Sequence, residues 1–134
     1  MYRDFFDGFL ESDDTLRIYQ GNQLIFSSIK DQLLPLLEYI EQFPHQPPVV
    51  IFDKVMGNGA ALLAVKANCR EVYSPLGSEL ATETLERYGI KYHLIKIVPY
   101  IQRSDGQGMC PMEKLSLDKM PEGFYQVMRN STKG

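Results

Sequence analysis

Apolar positions along the chain fall into runs of two periods. Tyr2, Phe5, Phe6, Phe9 and Leu10 recur at helical spacing and predict an N-terminal helix with one buried face. Ser12, Asp13 and Asp14 interrupt it. "TLRIYQ" and "QLIFS" then alternate, and the Gly21-Asn22 pair between them is a two-residue turn of the kind hairpins use. Leu33, Leu36, Leu37, Ile40 and Phe43 return to helical spacing. Pro35 is tolerated if that helix starts near Asp31, because N–H groups of a first turn are mostly unpaired. Pro44, Pro47 and Pro48 end it.

The second half alternates strand and helix. "VVIF" is a continuous apolar run, as in a strand covered on both faces. "GNGAALLAVKAN" predicts a helix stopped at Asn68, and "REVYS" a short strand. "SELATETLERYG" predicts a helix opened by Ser78 and closed by Gly89, and "YHLIKIV" a further strand. The intervals between these strands leave room for helical crossovers, so the three are expected to be parallel with right-handed connections. Short helices begin at Pro111 and Pro121, the last burying Phe124, Val127 and Met128. The sum is a three-layer α/β/α domain with a mixed, five-stranded sheet. The expected divisions are an N-terminal helix over 1–11, a hairpin over 15–27, a helix and βαβαβ over 29–98, and a loop with C-terminal helices over 99–134.

Composition changes this picture little. The 134 residues fit one domain, with 44% hydrophobic and 23% charged residues. A net charge of −3 with scattered Lys and Arg gives no nucleic-acid signal. Two cysteines do not make a disulfide framework, and the N-terminus lacks a signal-peptide layout, so cytoplasmic residence is expected. No run is long enough to cross a membrane. Nothing in the sequence sets an oligomeric state.

Ligands of open α/β sheets sit outside the carboxyl ends of the parallel strands. Three segments leave those ends: "DKVMGNG", "SPLGS" and "PYIQRSDGQGMC". In the first, Gly57 and Gly59 permit close backbone approach, the helix opening at Asn58 attracts anions, and Lys54 adds charge. The alternative is that small residues simply let the helix lie close to the sheet. Asp53 is a candidate general base or ligand hydrogen-bond acceptor, or else a structural carboxylate that pairs with Lys54 or Arg103 or caps the following helix. Ser74 is a candidate ligand contact or the shaper of a turn at Pro75. Arg103 is an anion contact or a solvated loop charge.

Cys110 precedes Pro111 and so stands as an N-cap residue, where a helix opening favours a thiolate. Glu113 falls three residues on, where it can reach back to the Cys110 N–H as in a capping box. The pair is either nucleophile with acid or base, or a helix start and nothing more. Cys69 is expected to be a buried structural thiol.

"VVIFDKVMGNGAALL", "EVYSPLGSELATETLERYGI" and "VPYIQRSDGQGMCPMEKL" resemble a small bacterial and archaeal family of unknown function with the cytidine-deaminase-like fold. The resemblance covers roughly residues 13–118. It implies a five-stranded mixed sheet with the first strand antiparallel to the rest, and it implies no reaction. Deaminases of known reaction carry H-x-E and P-C-x-x-C at successive helix starts. Here Asp53-Lys54 and "SPLGS" stand at those places, and His45, His93, Cys69 and Cys110 fit neither motif. No metal and no cofactor is therefore expected. The functional expectation is a small anionic or nucleotide-like ligand held by Lys54, Gly57, Asn58, Gly59, Ser74 and Arg103. The alternative is a metal-independent enzyme using Cys110 with Asp53 or Glu113.

Overall fold

The computed structural model describes residues 2–44 and 47–133; His45 lies outside the described residues. The elements are α1 (Tyr2–Glu11), β1 (Leu16–Gln20), β2 (Gln23–Ser28), α2 (Leu34–Gln42), β3 (Val49–Asp53), α3 (Asn58–Lys66), β4 (Cys69–Ser78), α4 (Glu79–Arg87), β5 (Lys91–Val98), α5 (Pro111–Ser116) and α6 (Pro121–Lys133). The five strands form one sheet in the order β2-β1-β3-β4-β5. β1 pairs antiparallel with β2 and β3, while β3, β4 and β5 are parallel, so β1 alone runs against the others.

Consecutive right-handed crossovers that step in one direction put their helices on one face. α3 and α4 accordingly lie together, and α2 and α6 join them over a core that includes Ile18, Tyr39, Ile51, Leu63, Leu85 and Phe124. The other face is left to α1. Tyr2, Phe6 and Phe9 press there on Tyr19, Val50 and Phe52. Phe52 is fully buried and meets the Phe6, Phe9, Tyr19 and Tyr73 rings at 5.1–5.8 Å between centroids. No helix of the described residues is long and apolar enough to cross a membrane.

Three local expectations are corrected. α2 begins at Leu34, not near Asp31, because Gln32 takes a left-handed conformation (φ 61°) that stops a helix from starting earlier. On α6, Tyr125 rather than Val127 accompanies Phe124 and Met128 into the core, and Val127 is exposed. A helix turns about 100° per residue, so 124, 125 and 128 share a face that 127 leaves.

The third correction moves the rim of the sheet. β4 does not stop at Ser74 but runs on to Ser78. Pro75 has no N–H for the ladder, and the register steps over it, from Ser74↔Leu94 to Leu76↔Lys96. The continuation is held on its other side by Met56, whose N–H donates to Leu76 O at 2.8 Å and whose carbonyl accepts from Ser78 N–H at 3.1 Å. Ser78 then opens α4 as expected, its Oγ accepting from Ala81 N–H at 3.1 Å.

Candidate functional site

The opening of α3 presents backbone N–H groups without intrahelical partners, and this end of a helix attracts negative charge. The charge that meets it is the chain's own. Glu113, 2% exposed, accepts from Asn58 N–H through Oε1 at 2.6 Å and from Ile101 N–H through Oε2 at 2.7 Å. This corrects the capping-box expectation. The Cys110 N–H donates instead to Ile101 O at 2.8 Å, which frees the carboxylate for the start of a longer helix than its own. Gly57 is what admits it: a Cβ there would lie 3.2 Å from both Glu113 Oε1 and Ile101 Cγ1. The close approach expected at this glycine is to a protein carboxylate.

Asn58 is buried and spends its amide within the fold. Nδ2 donates to Ser116 Oγ at 3.0 Å, and Oδ1 accepts from Thr84 Oγ1. Ser116 Oγ in turn donates to Glu113 O at 2.6 Å. One side chain thereby ties α3, α4 and α5 together. Gly59 lies where α3 meets α6 and Leu33.

Between these elements lies a recess of about 80 Å³, lined by Val55, Gly57, Gly59, Ile101, Cys110 and Glu113 among others. Cys110 is the partly exposed N-cap of α5, and its side chain makes no capping bond. Beside the recess runs a groove of about 550 Å³ along the ends of β4 and β5, lined by Val55, Leu76, Lys96, Val98, Tyr100 and Ile101. Val55 and Ile101 line both, so recess and groove adjoin across these two side chains. Lys96 makes no hydrogen bond or ion pair among the described residues.

The remaining sequence-chosen residues point elsewhere. Lys54 turns toward α1, where Nζ donates to Ser12 O at 2.8 Å and sits 4.7 Å from the Phe9 ring centre. A cation is favoured at that helix's C-terminal end. Arg103 rides on a tight hairpin closed by the Gln102–Met109 bridge, paired with Asp105 at 3.1 Å and half-exposed. Ser74 is fully buried, its Oγ donating to Leu76 O at 2.9 Å, so it shapes the step around Pro75. Asp53 is buried beneath the helix layer, pairing with neither Lys54 nor Arg103; its Oδ1 accepts from Val55 N–H at 3.3 Å. Burial pushes its carboxyl up to about 7, against the pull of the Val55 and Lys54 N–H groups.

Cys69 is buried, its Sγ directed to Glu71 O at 3.0 Å, and burial pushes its thiol up to about 12. His93 stacks on Tyr73 at 4.2 Å and meets Glu71 at 2.6 Å on the α1 side of the sheet. Among the described residues no three His, Cys, Asp or Glu side chains gather where they could hold a metal ion.

A family model described as TM1506, domain of unknown function (DUF1893), matches residues 7–131. The chain belongs to that family. Among solved structures it is similar to a DUF1893 family protein (TM1506) from Thermotoga maritima, with 26% sequence identity and a TM-score of 0.87. The similarity covers 96% of this chain and 88% of that one. No curated protein matches it.

In this DUF1893 chain the recess therefore unites Gly57, Gly59, Cys110 and Glu113, and leaves out Asp53, Lys54, Asn58, Ser74 and Arg103 as lining residues. Lys96 is the groove residue that pattern reading passed over. Its signal was present: alternation in "YHLIKIV" sets Lys96 on the helix-side face with Tyr92, Leu94 and Val98, a charge in an otherwise apolar row. Gly59 serves packing. A Cβ there would stand 2.9 Å from Phe124 Cζ and 3.1 Å from Leu33 Cδ1. Gly59→Ala is expected to cost about 1 kcal/mol in urea unfolding. Overpacking of about 1–3 kcal/mol is partly offset by alanine's better helix propensity, about 1 kcal/mol. A stabilised variant would mean that Phe124 and Leu33 yield freely.

Proposed function

We propose that the chain is a small-molecule-binding domain on a cytidine-deaminase-like scaffold without zinc motifs. Its ligand carries an anionic group and an apolar or planar body, as a nucleotide-like molecule does. The observation that carries this reading is the adjoining recess and groove at the strand ends, with Lys96, unpaired among the described residues, on the groove wall. Pockets that bind small molecules are mostly apolar with a few convergent polar groups. Lys96 supplies the charge, Tyr100, Leu76 and Val98 the apolar wall, and Cys110 the floor toward α3. The anion contacts first sought in Lys54 and Arg103 fall to Lys96 instead. The scaffold assignment is supported by the reversed β1 and by the two crossover helices sharing one face. Both cysteines are free, in keeping with a reducing cytoplasm.

The enzyme alternative has less support. A Cys110 nucleophile needs a nearby base. Each Glu113 oxygen is already held by a backbone N–H, and His93 lies on the other face of the sheet.

A thermal-shift screen of nucleotides, sugar phosphates and carboxylates tests the proposal. A ligand at about a hundred times its Kd adds about 2.7 kcal/mol to stability, a shift of several degrees. The shift is expected to vanish in Lys96→Ala and to persist in Lys54→Ala and Arg103→Ala. No shift with any anion, or an undiminished shift in Lys96→Ala, would remove the basis of this reading.

A further inference from the structure

β5 is an edge strand, and no strand among the described residues pairs with its far side. The other edge, β2, is blunted: a register irregularity lies at Ile18/Tyr19 in its pairing, and it exposes Gln23 and Ser27 with a single large apolar side chain, Leu24 at 45%. Such devices discourage edge-to-edge pairing. β5 carries two large apolar side chains in the open instead, Ile95 at 66% and Ile97 at 49% exposure. By alternation both lie on the face that α1 covers further in. The cover runs out at His93, which stacks on Tyr73, which in turn packs on Phe6 of α1.

We infer that β5 pairs antiparallel with β5 of a second copy of this chain, about a two-fold axis at Ile95. In an antiparallel pair directly opposite side chains share a face. Centred on Ile95, this register sets Ile95 against Ile95 of the second copy, His93 against its Ile97 and Leu94 against its Lys96. Four isoleucines then form one apolar patch between the two α1 helices, and no lysine opposes a lysine. Centring on Lys96 would oppose two ammonium groups. Centring on Leu94 would set His93 against Ile95 and bring no isoleucine opposite another. Of these three registers only the one centred on Ile95 sets isoleucine against isoleucine with no like charges opposed, and the closed symmetry leaves no further edge of this kind exposed. Lys96 borders this seam, but Ile95 lies on the opposite face of the sheet from the groove, so Ile95→Lys tests the pairing and Lys96→Ala the ligand.

Sedimentation of the purified full chain should give a species of about twice 15.4 kDa. Ile95→Lys places like charges across the axis and should weaken association at least about tenfold, with near-ultraviolet circular dichroism unchanged. Leu24→Lys, on the other edge, should leave the dimer intact. Residues directly opposite in an antiparallel pair have Cα atoms about 4.5–5.5 Å apart, within disulfide reach. Ile95→Cys in a Cys110→Ser background should therefore oxidise to a covalent dimer, and Leu24→Cys should not. A wild-type monomer at every concentration, a dimer indifferent to Ile95→Lys, or cross-linking at residue 24 rather than 95 would overturn the inference.

Discussion

Glu113→Ala is expected to destabilise the fold by about 2–5 kcal/mol. The substitution leaves the Asn58 and Ile101 N–H groups without the acceptors that now lie at 2.6 and 2.7 Å. A buried donor left unsatisfied costs about 1–3 kcal/mol, and bonds to a charged acceptor are the stronger kind. The favourable contact of a carboxylate with the opening of α3 is lost as well. Glu113→Gln keeps one carbonyl oxygen for one of the two donors and sets its amide against the other, so its cost should be smaller. Urea unfolding at neutral pH measures both. A loss under about 1 kcal/mol for the alanine variant would mean that water entering from the recess replaces the carboxylate, and that Glu113 does not hold α5 to α3. The same variant separates stability from binding. If the groove serves a ligand through Lys96, Glu113→Ala should weaken binding only as far as it loosens α5.

What the sequence made legible follows from the range of each interaction. The two periods of apolar residues located the hairpin, the crossover helices and the buried β3, because a strand or helix face is a local pattern. The rule that sites lie at strand ends brought Gly57, Gly59, Cys110 and Glu113 to one recess without any contact being known. Side-chain destinations were another matter. Glu113 reaches a helix opening 55 residues away, and Lys54 reaches a carbonyl 42 residues away. No local spacing encodes either pairing. The sequence offers Lys54 to an anion and Glu113 to its own helix start or to proton transfer, because the partner of each within the fold is out of sight. Pro75 misled for a related reason. A proline ends a strand when the neighbouring ladder requires its N–H, and here β5 skips that position while Met56 bridges the residues beyond it.

Asp53 gives the second large effect, and its sign is opposite to that of most carboxylates. Buried at the end of β3, it ionises in the folded chain only near pH 7, against an ordinary value near 3.8 in the unfolded one. Below pH 3.8 both states hold the proton, and the full stability is present. As pH rises toward 7 the unfolded chain releases that proton and the folded chain keeps it. Stability then falls by about 1.4 kcal/mol per pH unit, and the loss levels off above the folded value at a total on the order of 4 kcal/mol. Asp53→Asn cannot titrate and is free of this contribution. The difference in unfolding free energy between variant and parent should therefore swing toward the variant by that amount between pH 4 and pH 7.5 or so. Taking the difference cancels the other titrating groups, which the two proteins share. Parallel stability curves for the two proteins across this window would show that Asp53 reaches water or a cation when ionised. Curves that diverge as described would leave the carboxyl neutral at the end of β3, two residues from the Val55 that lines both recess and groove.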